Sequence, residues 1–447
     1  MRAIAYYHSV RLDESKCRGC TNCIKRCPTQ AIRVREGKAR IHTNRCIDCG
    51  ECIRVCENHA KRAESDTLAA IQAFRYRVAL IAPSLFGQFR GEYSLGRLLG
   101  ALRTLGFDDV MEVAEGAEYT SAALRAANAD YDGPRPLISS ACPAVVRLIE
   151  VKFPGLLPQV VRVEAPVDVA AKLYRRRHQE KLGLSREEMG FFFITPCPAK
   201  ITAAKERSEA GAGEIDGCIA IADVYGALKK ALAAPDTPEL PVRAGGLGLG
   251  WARAGGENQA ISKGELLAVD GIHNVAAVLE EIELGKLADV DYLEANACVG
   301  GCVGGPLTVE NPYVARVKIR RLAERLGAST LKPGVEAEAR RLAEEGFFAV
   351  PVPFAPRPSL VLDQDVQAAI AKANQIEETL AILPGLDCGA CGCPTCRVLA
   401  EDIVLGEATL TDCVIKLREE LARMAGDLLD LAEKLPPAMG QEKKEKR

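Results

Sequence analysis

From Tyr76 onward the chain gathers its apolar residues into short runs, most of them ending in Pro, Ser or Gly. Val78-Ala79-Leu80-Ile81-Ala82, Pro136-Leu137-Ile138-Ser139-Ser140, Phe191-Phe192-Phe193-Ile194 and Cys218-Ile219-Ala220-Ile221-Ala222 read as strands. The segments 95–105 and 224–232 carry helical patterns, and Asp291-Tyr292-Leu293-Glu294 reads as the end of another short strand. Strands alternating with helices predict an α/β domain with parallel strands and crossover helices. Parallel strands are covered on both faces, which explains runs that are apolar without alternation. Residues 66–76 read as a helical connector, 313–326 as a helix, and 327–362 as mixed, with a proline-rich linker at 351–358. Helix is expected again over 362–380. Near the end, Leu417, Leu421, Met424, Leu428, Leu431 and Leu435 form an a/d seam. It would either make a homodimer or pack back on its own domain, and at about two and a half heptads both readings stand. Residues 441–447 are charged and expected to be disordered.

Cysteines change this picture. There are 18 in 447 residues. Cys17, Cys20, Cys23 and Cys27 form a C-x-x-C-x-x-C-x-x-x-C run, repeated by Cys46, Cys49, Cys52 and Cys56. Three thiolates of a tight loop reach one iron–sulfur cube, while in the bacterial ferredoxin pattern the fourth serves the other cube. Cluster 1 is therefore expected on Cys17, Cys20, Cys23 and Cys56, and cluster 2 on Cys46, Cys49, Cys52 and Cys27. A zinc site is the alternative, but eight thiolates at a repeated spacing argue against it. Residues 1–65 resemble a two-cluster ferredoxin domain of the α+β kind, which implies electron transfer. Glu57 stands where the first run has Pro28.

A second group lies at predicted strand ends. Cys298 and Cys302 sit in Glu294-Ala295-Asn296-Ala297-Cys298-Val299-Gly300-Gly301-Cys302-Val303-Gly304-Gly305-Pro306, a stretch of small side chains. Cys142 follows Ser139-Ser140-Ala141, and Cys197 lies in Thr195-Pro196-Cys197-Pro198-Ala199-Lys200. Ligands of open α/β sheets bind beyond the carboxyl ends of the strands, and thiolates suit iron–sulfur clusters. Alone, Cys142 and Cys197 would read as ordinary buried cysteines. Together the four are expected to meet at one edge of a single sheet. Cys218, inside a strand, reads as core.

These residues resemble the three signature motifs of the [FeFe]-hydrogenases, commonly TSCCP, MPCxxK and ExMxCxxGCxxGG. The resemblance spans about 76–326. It implies an H-cluster, a [4Fe–4S] cubane on Cys142, Cys197, Cys298 and Cys302 that bridges through Cys302 to a diiron subsite. It also implies that Lys200 hydrogen-bonds a cyanide of that subsite. The glycine-rich stretch Leu247–Gly256 resembles the family's turn near the cofactor. Three departures stand out. The family's proton-relaying cysteine is Ala141 here, its methionine before the third cysteine is Asn296, and its path serine has no counterpart in Val163-Glu164-Ala165-Pro166. Glu115 and Glu118 read either as path carboxylates or as a solvated helix face. The combination resembles the family's sensory branch.

A third group, Cys388, Cys391, Cys396 and Cys413, resembles the small four-cysteine iron–sulfur domain of corrinoid and acetyl-CoA-pathway proteins. It implies a third [4Fe–4S] cluster, with zinc as the alternative, and leaves Cys393 surplus. The expected domains are thus 1–65, 76–326, a connecting region 327–380, and 381–435 with its helical tail.

A formal net charge of −2 points to no nucleic-acid or charged membrane partner. The N-terminal residues show no apolar signal core, and no run approaches the ~20 residues of a membrane span. Thiol-rich chains without a secretory signal are expected in a reducing cytoplasm. The expected function is a hydrogenase-like protein that binds and slowly cleaves dihydrogen as a hydrogen or redox sensor, with protons, a redox protein such as ferredoxin, and a kinase or phosphatase as partners. The alternatives are a slow ferredoxin-linked hydrogenase and a non-catalytic iron–sulfur binding or assembly protein.

Overall fold

The computed structural model describes residues 7–89, 93–327 and 330–434. Its strands, in chain order, are β1 (Val10–Leu12), β2 (Ile32–Arg35), β3 (Lys38–Ile41), β4 (Lys61–Ala63), β5 (Tyr76–Ile81), β6 (Asp109–Glu112), β7 (Leu137–Ile138), β8 (Met189–Thr195), β9 (Gly217–Ala220), β10 (Leu266–Asp270) and β11 (Tyr292–Asn296). The chain forms two compact units, one of residues 1–16 and 42–359, the other of 17–41 and 360–447. Residues 1–65 are therefore shared between them.

The larger unit holds two parallel sheets. One has the order β6-β5-β8-β9, the other β10-β11-β7. The apolar runs are explained by the pleat. Val78, Leu80, Phe191 and Phe193 pack into the core beside the helix Pro166–Leu182, while Ala79, Ile81, Phe192 and Ile194 pack into a separate core on the opposite face. Successive side chains point to opposite faces, so a strand covered on both sides must be apolar throughout. Around the smaller sheet, Ile138, Leu293 and Ala295 pack with the helices Pro143–Lys152 and Ile272–Glu283. An antiparallel pair, β1 with β4, completes this unit.

The parallel sheets of the expected α/β domain are present, but Cys142, Cys298 and Cys302 follow strands of one sheet and Cys197 a strand of the other, which corrects the expectation that all four meet at the edge of a single sheet. Strand β10 was not among the expected strands, although Leu266-Leu267-Ala268-Val269 is an apolar run; it lies half-buried at the sheet edge. The Cys218 run ends as a strand at Ala220, and Ile221 already opens the helix Ile221–Ala233. The 66–76 connector is a 3-10 helix, Leu68–Ala73. The 351–358 segment has no regular structure.

In the smaller unit, β2 and β3 form an antiparallel hairpin. The helix expected from 362 starts at Val366, capped by Asp365, and runs to Ile382. Helices Cys396–Val404 and Val414–Ala432 follow. The last has no buried residue, and Leu421 and Leu428 are 55% and 65% exposed. The seam therefore does not pack back on its own domain. Leu435 and residues 441–447 lie outside the described residues. No helix among the described residues is long and apolar enough to cross a membrane.

Candidate functional site

Three strands of the larger unit run out into cysteines. Beyond β7 the chain turns through Ser139, Ser140 and Ala141 to Cys142, which caps the helix Pro143–Lys152. Beyond β8, Cys197 caps the helix Pro198–Glu209. Proline opens both helices, where its missing N–H costs nothing. Beyond β11 lie Cys298 and Cys302. Gly301 between them has φ +90°, and a Cβ there would lie 2.5 Å from the Ala254 nitrogen. Only glycine meets both demands.

These four thiols interact with one another. Burial pushes the Cys142 thiol up, and Cys302 adds to the rise. Cys197 is raised to about 12 by burial, then by Cys142. Cys298 is raised by burial, with Cys197, Cys142 and Cys302 adding to it and Arg54 opposing. Burial would lower the Lys200 ammonium, but Cys302, Cys197 and Cys142 together raise it. Its Nζ lies 3.7 Å from the Cys302 Sγ. Crowded thiols that resist ionisation, next to one lysine, form a set that a cationic soft-metal centre would satisfy.

Beside Cys302 lies a space of about 550 Å³, part of it open to solvent, walled by Ala141, Lys200, Trp251, Glu257, Glu294 and Asn296 among others. The four thiols and this lysine-lined space suit an iron–sulfur centre. The helix Val113–Ala129 contributes Val113 and Ala117 to the wall. Glu115 instead pairs with Arg177, and Glu118 is fully buried against the Gly245 N–H. The solvated-face reading of Glu118 is thus overturned. Asn296 Nδ2 donates to Glu294 Oε1 at 2.8 Å, and Glu294 also accepts from the Gly255 and Asn258 N–H groups, both at 2.9 Å. Glu257 was missed by sequence reasoning. Its one signal was an acid placed directly after Gly255-Gly256.

The Cys46–Cys56 loop belongs to the same unit and abuts this site. A Cβ on Gly50 would fall 2.3 Å from the Pro306 ring, and the Arg54 guanidinium donates to the Gly304 carbonyl. Asp48 anchors the loop. Its Oδ1 accepts from the Ser9 and Val10 N–H groups at 3.1 Å each, and its Oδ2 from Thr202 at 2.9 Å and Arg147 at 3.0 Å. The internal repeat is also a repeat of geometry. Cys27 Sγ accepts from the Ala31 N–H and Cys56 Sγ from the Ala60 N–H, each at 3.2 Å. Cys17 Sγ, in the smaller unit with Cys20, Cys23 and Cys27, accepts from the Ala39 N–H at 3.4 Å.

In the smaller unit, Cys388, Cys391, Cys396 and Cys413 line one pocket with Cys393. Cys393 is fully buried, and its Sγ meets Arg35 Nη2 at 3.1 Å and Asp402 Oδ2 at 3.2 Å. Asp402 is gripped on both oxygens by Arg33, at 2.7 and 3.0 Å. The surplus cysteine thus belongs to a polar network joining the hairpin to the cysteine pocket. Cys218 is buried core, 2% exposed.

The chain is similar to known iron–sulfur proteins. Residues 75–262 and 253–306 match the iron only hydrogenase large subunit, C-terminal domain. Residues 9–57 match the 4Fe-4S dicluster domain, and 383–415 a family described as an Fe-S cluster. Over 249 residues the chain is 30% identical to the periplasmic [Fe] hydrogenase large subunit of Nitratidesulfovibrio vulgaris, covering 50% of this chain and 58% of that protein. Over 110 residues it is 28% identical to the cytosolic Fe-S cluster assembly factor NAR1 of Botryotinia fuckeliana, covering 24% of this chain and 19% of that protein. The chain spans 58%, 32% and 50% of the length of three curated hydrogenase relatives it matches. Among solved structures, a variant of the [FeFe]-hydrogenase HydA1 from Chlamydomonas reinhardtii superposes with a TM-score of 0.50 at 16% identity, covering 65% of this chain and 98% of that one, a likeness of fold. With the family's domain matched over more than half of its length, the chain belongs to the iron-only hydrogenase large-subunit family and is a hydrogenase-like iron–sulfur protein.

Proposed function

We propose that this protein binds dihydrogen and cleaves it slowly, acting as a hydrogen or redox sensor. The observation that carries the reading is the cavity beside Cys302, which has Lys200 in its wall but a methyl group at Ala141. Cys142, Cys197, Cys298 and Cys302 would hold the cubane of an H-cluster. When bound, the diiron subsite supplies an open iron and a bridging amine base for heterolytic cleavage. Lys200 keeps a positive charge there and would hold a cyanide as a compact donor. Ala141 neither donates nor accepts a proton, and a missing acid–base partner commonly costs about 10²–10⁴-fold. Electrons would leave through the Cys46–Cys56 loop, where Gly50 and Arg54 already touch the cofactor loop. The exposed seam of Val414–Ala432 would engage the partner that receives the signal, whether a kinase, a phosphatase or a second copy.

Infrared spectroscopy of protein co-expressed with the hydrogenase maturation machinery tests the reading. Bands of metal-bound carbonyl and cyanide are expected, with slow dihydrogen turnover. Their absence would sink it and favour a second reading, an iron–sulfur binding or assembly protein, which the likeness to NAR1 supports.

A further inference from the structure

Outside the site beside Cys302, the fifth thiol of the C-terminal pocket has the fullest set of contacts. Cys388, Cys391, Cys396 and Cys413 line that pocket, and Cys393 shares it. All five belong to the smaller unit, as does the hairpin of β2 and β3. Four thiols walled by Leu399, Val414 and Ile415 suit a soft-metal cluster.

Strand β2 docks on the loop between Cys391 and Cys393. The Val34 N–H donates to the Gly392 carbonyl at 2.8 Å. Gly392 has φ +79°, and a Cβ there would collide with the Val34 carbonyl oxygen, so glycine lets the strand approach. Arg35 reaches past this contact. Its Nη1 donates to the Cys391 carbonyl at 3.0 Å, and its Nη2 to Cys393 Sγ at 3.1 Å and to Asp402 Oδ2 at 2.8 Å. Cys393 is fully buried, and its side chain is hydrogen-bonded to that of Cys391.

Two guanidinium groups meet one carboxylate here. Asp402 also accepts from Arg33 on both oxygens, and those two side chains are each 3% exposed. Two cations against one anion leave a positive charge beside Cys391. Asp412 acts on the same guanidinium, and Asp387 Oδ1 accepts from the Cys396 N–H at 2.6 Å. Both acids stay in place when residue 35 is changed, so a difference between variants reports Arg35 itself. Net charge and hydrogen bonds to the ligand sulfurs set cluster potentials. A reduced cluster carries one more negative charge, so nearby positive charge and sulfur-directed donors raise the potential. With Cys391 as a ligand thiolate, the Cys393 S–H has an acceptor in that sulfur.

We propose that Arg35 and Cys393 are positioning residues of the C-terminal site, holding Cys391 and raising the reduction potential of the iron–sulfur cluster it would share with Cys388, Cys396 and Cys413. Arg35 acts through Cys393 and the Cys391 carbonyl, and Cys393 is an outer partner of the site, not a ligand. The proposal stands apart from the dihydrogen reading, since it needs only a cluster in this pocket.

The test is a redox titration of the iron-loaded full chain, without maturation, followed by electron paramagnetic resonance. The signal missing from Cys413→Ala marks the C-terminal cluster. In Arg35→Gln the ratio of reduced to oxidised C-terminal cluster at a fixed potential should fall about 10-fold, which is about 59 mV for one electron, with the other clusters unmoved. Arg35→Lys keeps the charge without the planar fork and should recover part of the shift. Cys393→Ala should lower the ratio too, and Cys393→Ser, which retains a donor, should lower it less. Unmoved ratios in Arg35→Gln and Cys393→Ala with the iron content intact overturn the proposal. So does zinc in the pocket, or loss of the cluster in Cys393→Ala with its retention in Cys391→Ala, which would make Cys393 a ligand. Where Arg35→Gln fails to fold, Cys393→Ala decides on the same terms.

Discussion

At the scale of single residues, the methyl group of Ala141 is one of three departures of this site from the family pattern. Ala141→Cys is expected to raise dihydrogen turnover of the matured protein by at least about 10-fold, measured as dye-coupled oxidation. No gain would mean that the missing thiol does not limit the rate. Glu118 gives a pH prediction. Burial raises its carboxyl to about 7, against the Gly245 N–H and Lys332. The fold thus favours the neutral acid, and that stability is present below about pH 4.5 and lost as pH rises through about 7. Glu118→Gln should therefore melt higher than wild type at pH 8, by on the order of 2 kcal/mol, with the gap closing below pH 5. Equal melting at both pH values would mean the carboxyl is not strained by ionisation. Much of the candidate site was legible, because its thiols sit on short loops at fixed spacing, as in Cys17–Cys27 and Cys298–Cys302. Glu257 was not, since only the fold brings it near its partners Ser139 and Tyr292.

At the scale of elements, Asp48 fastens one cluster loop to two helices and to the strand β1. Its side chain is fully buried and Arg147 is 5% exposed, so each leaves the other uncompensated if removed. Asp48→Ala is expected to cost about 3–5 kcal/mol in denaturant unfolding of the iron-loaded protein. A cost under about 1 kcal/mol would show the pair to be dispensable. Sequence patterns found the strands whose two faces are both covered, such as β5 and β8, because burial leaves an uninterrupted apolar record. They missed β10, a half-buried edge strand, although Leu266-Leu267-Ala268-Val269 is apolar throughout. The helix expected from 362 starts four residues later because Asp365 accepts from the Ala368 N–H and so begins the helix there.

At the scale of the whole molecule, the iron content discriminates between the readings of the cysteine groups. Three ferredoxin-type cubanes and a complete H-cluster predict roughly 18 irons per chain by elemental analysis. Zinc in the C-terminal pocket would give roughly 14 irons and one zinc. The domain order along the chain was readable, since each cysteine group is contiguous. The packing units were not, because contacts such as Arg33 with Asp402 join residues hundreds of positions apart. The Cys393 network is another such case: a thiol counted as spare in the sequence occupies the middle of a charged relay in the fold.

Two helices begin at Cys142 and Cys197, and each points its amino end toward the thiols. A helix start carries about half a positive charge, and Lys200 adds a full one. Iron gripped there would accept negative charge readily and give it up reluctantly. Such a centre would detain an electron rather than speed it onward, a trait that would suit the redox sensing proposed above.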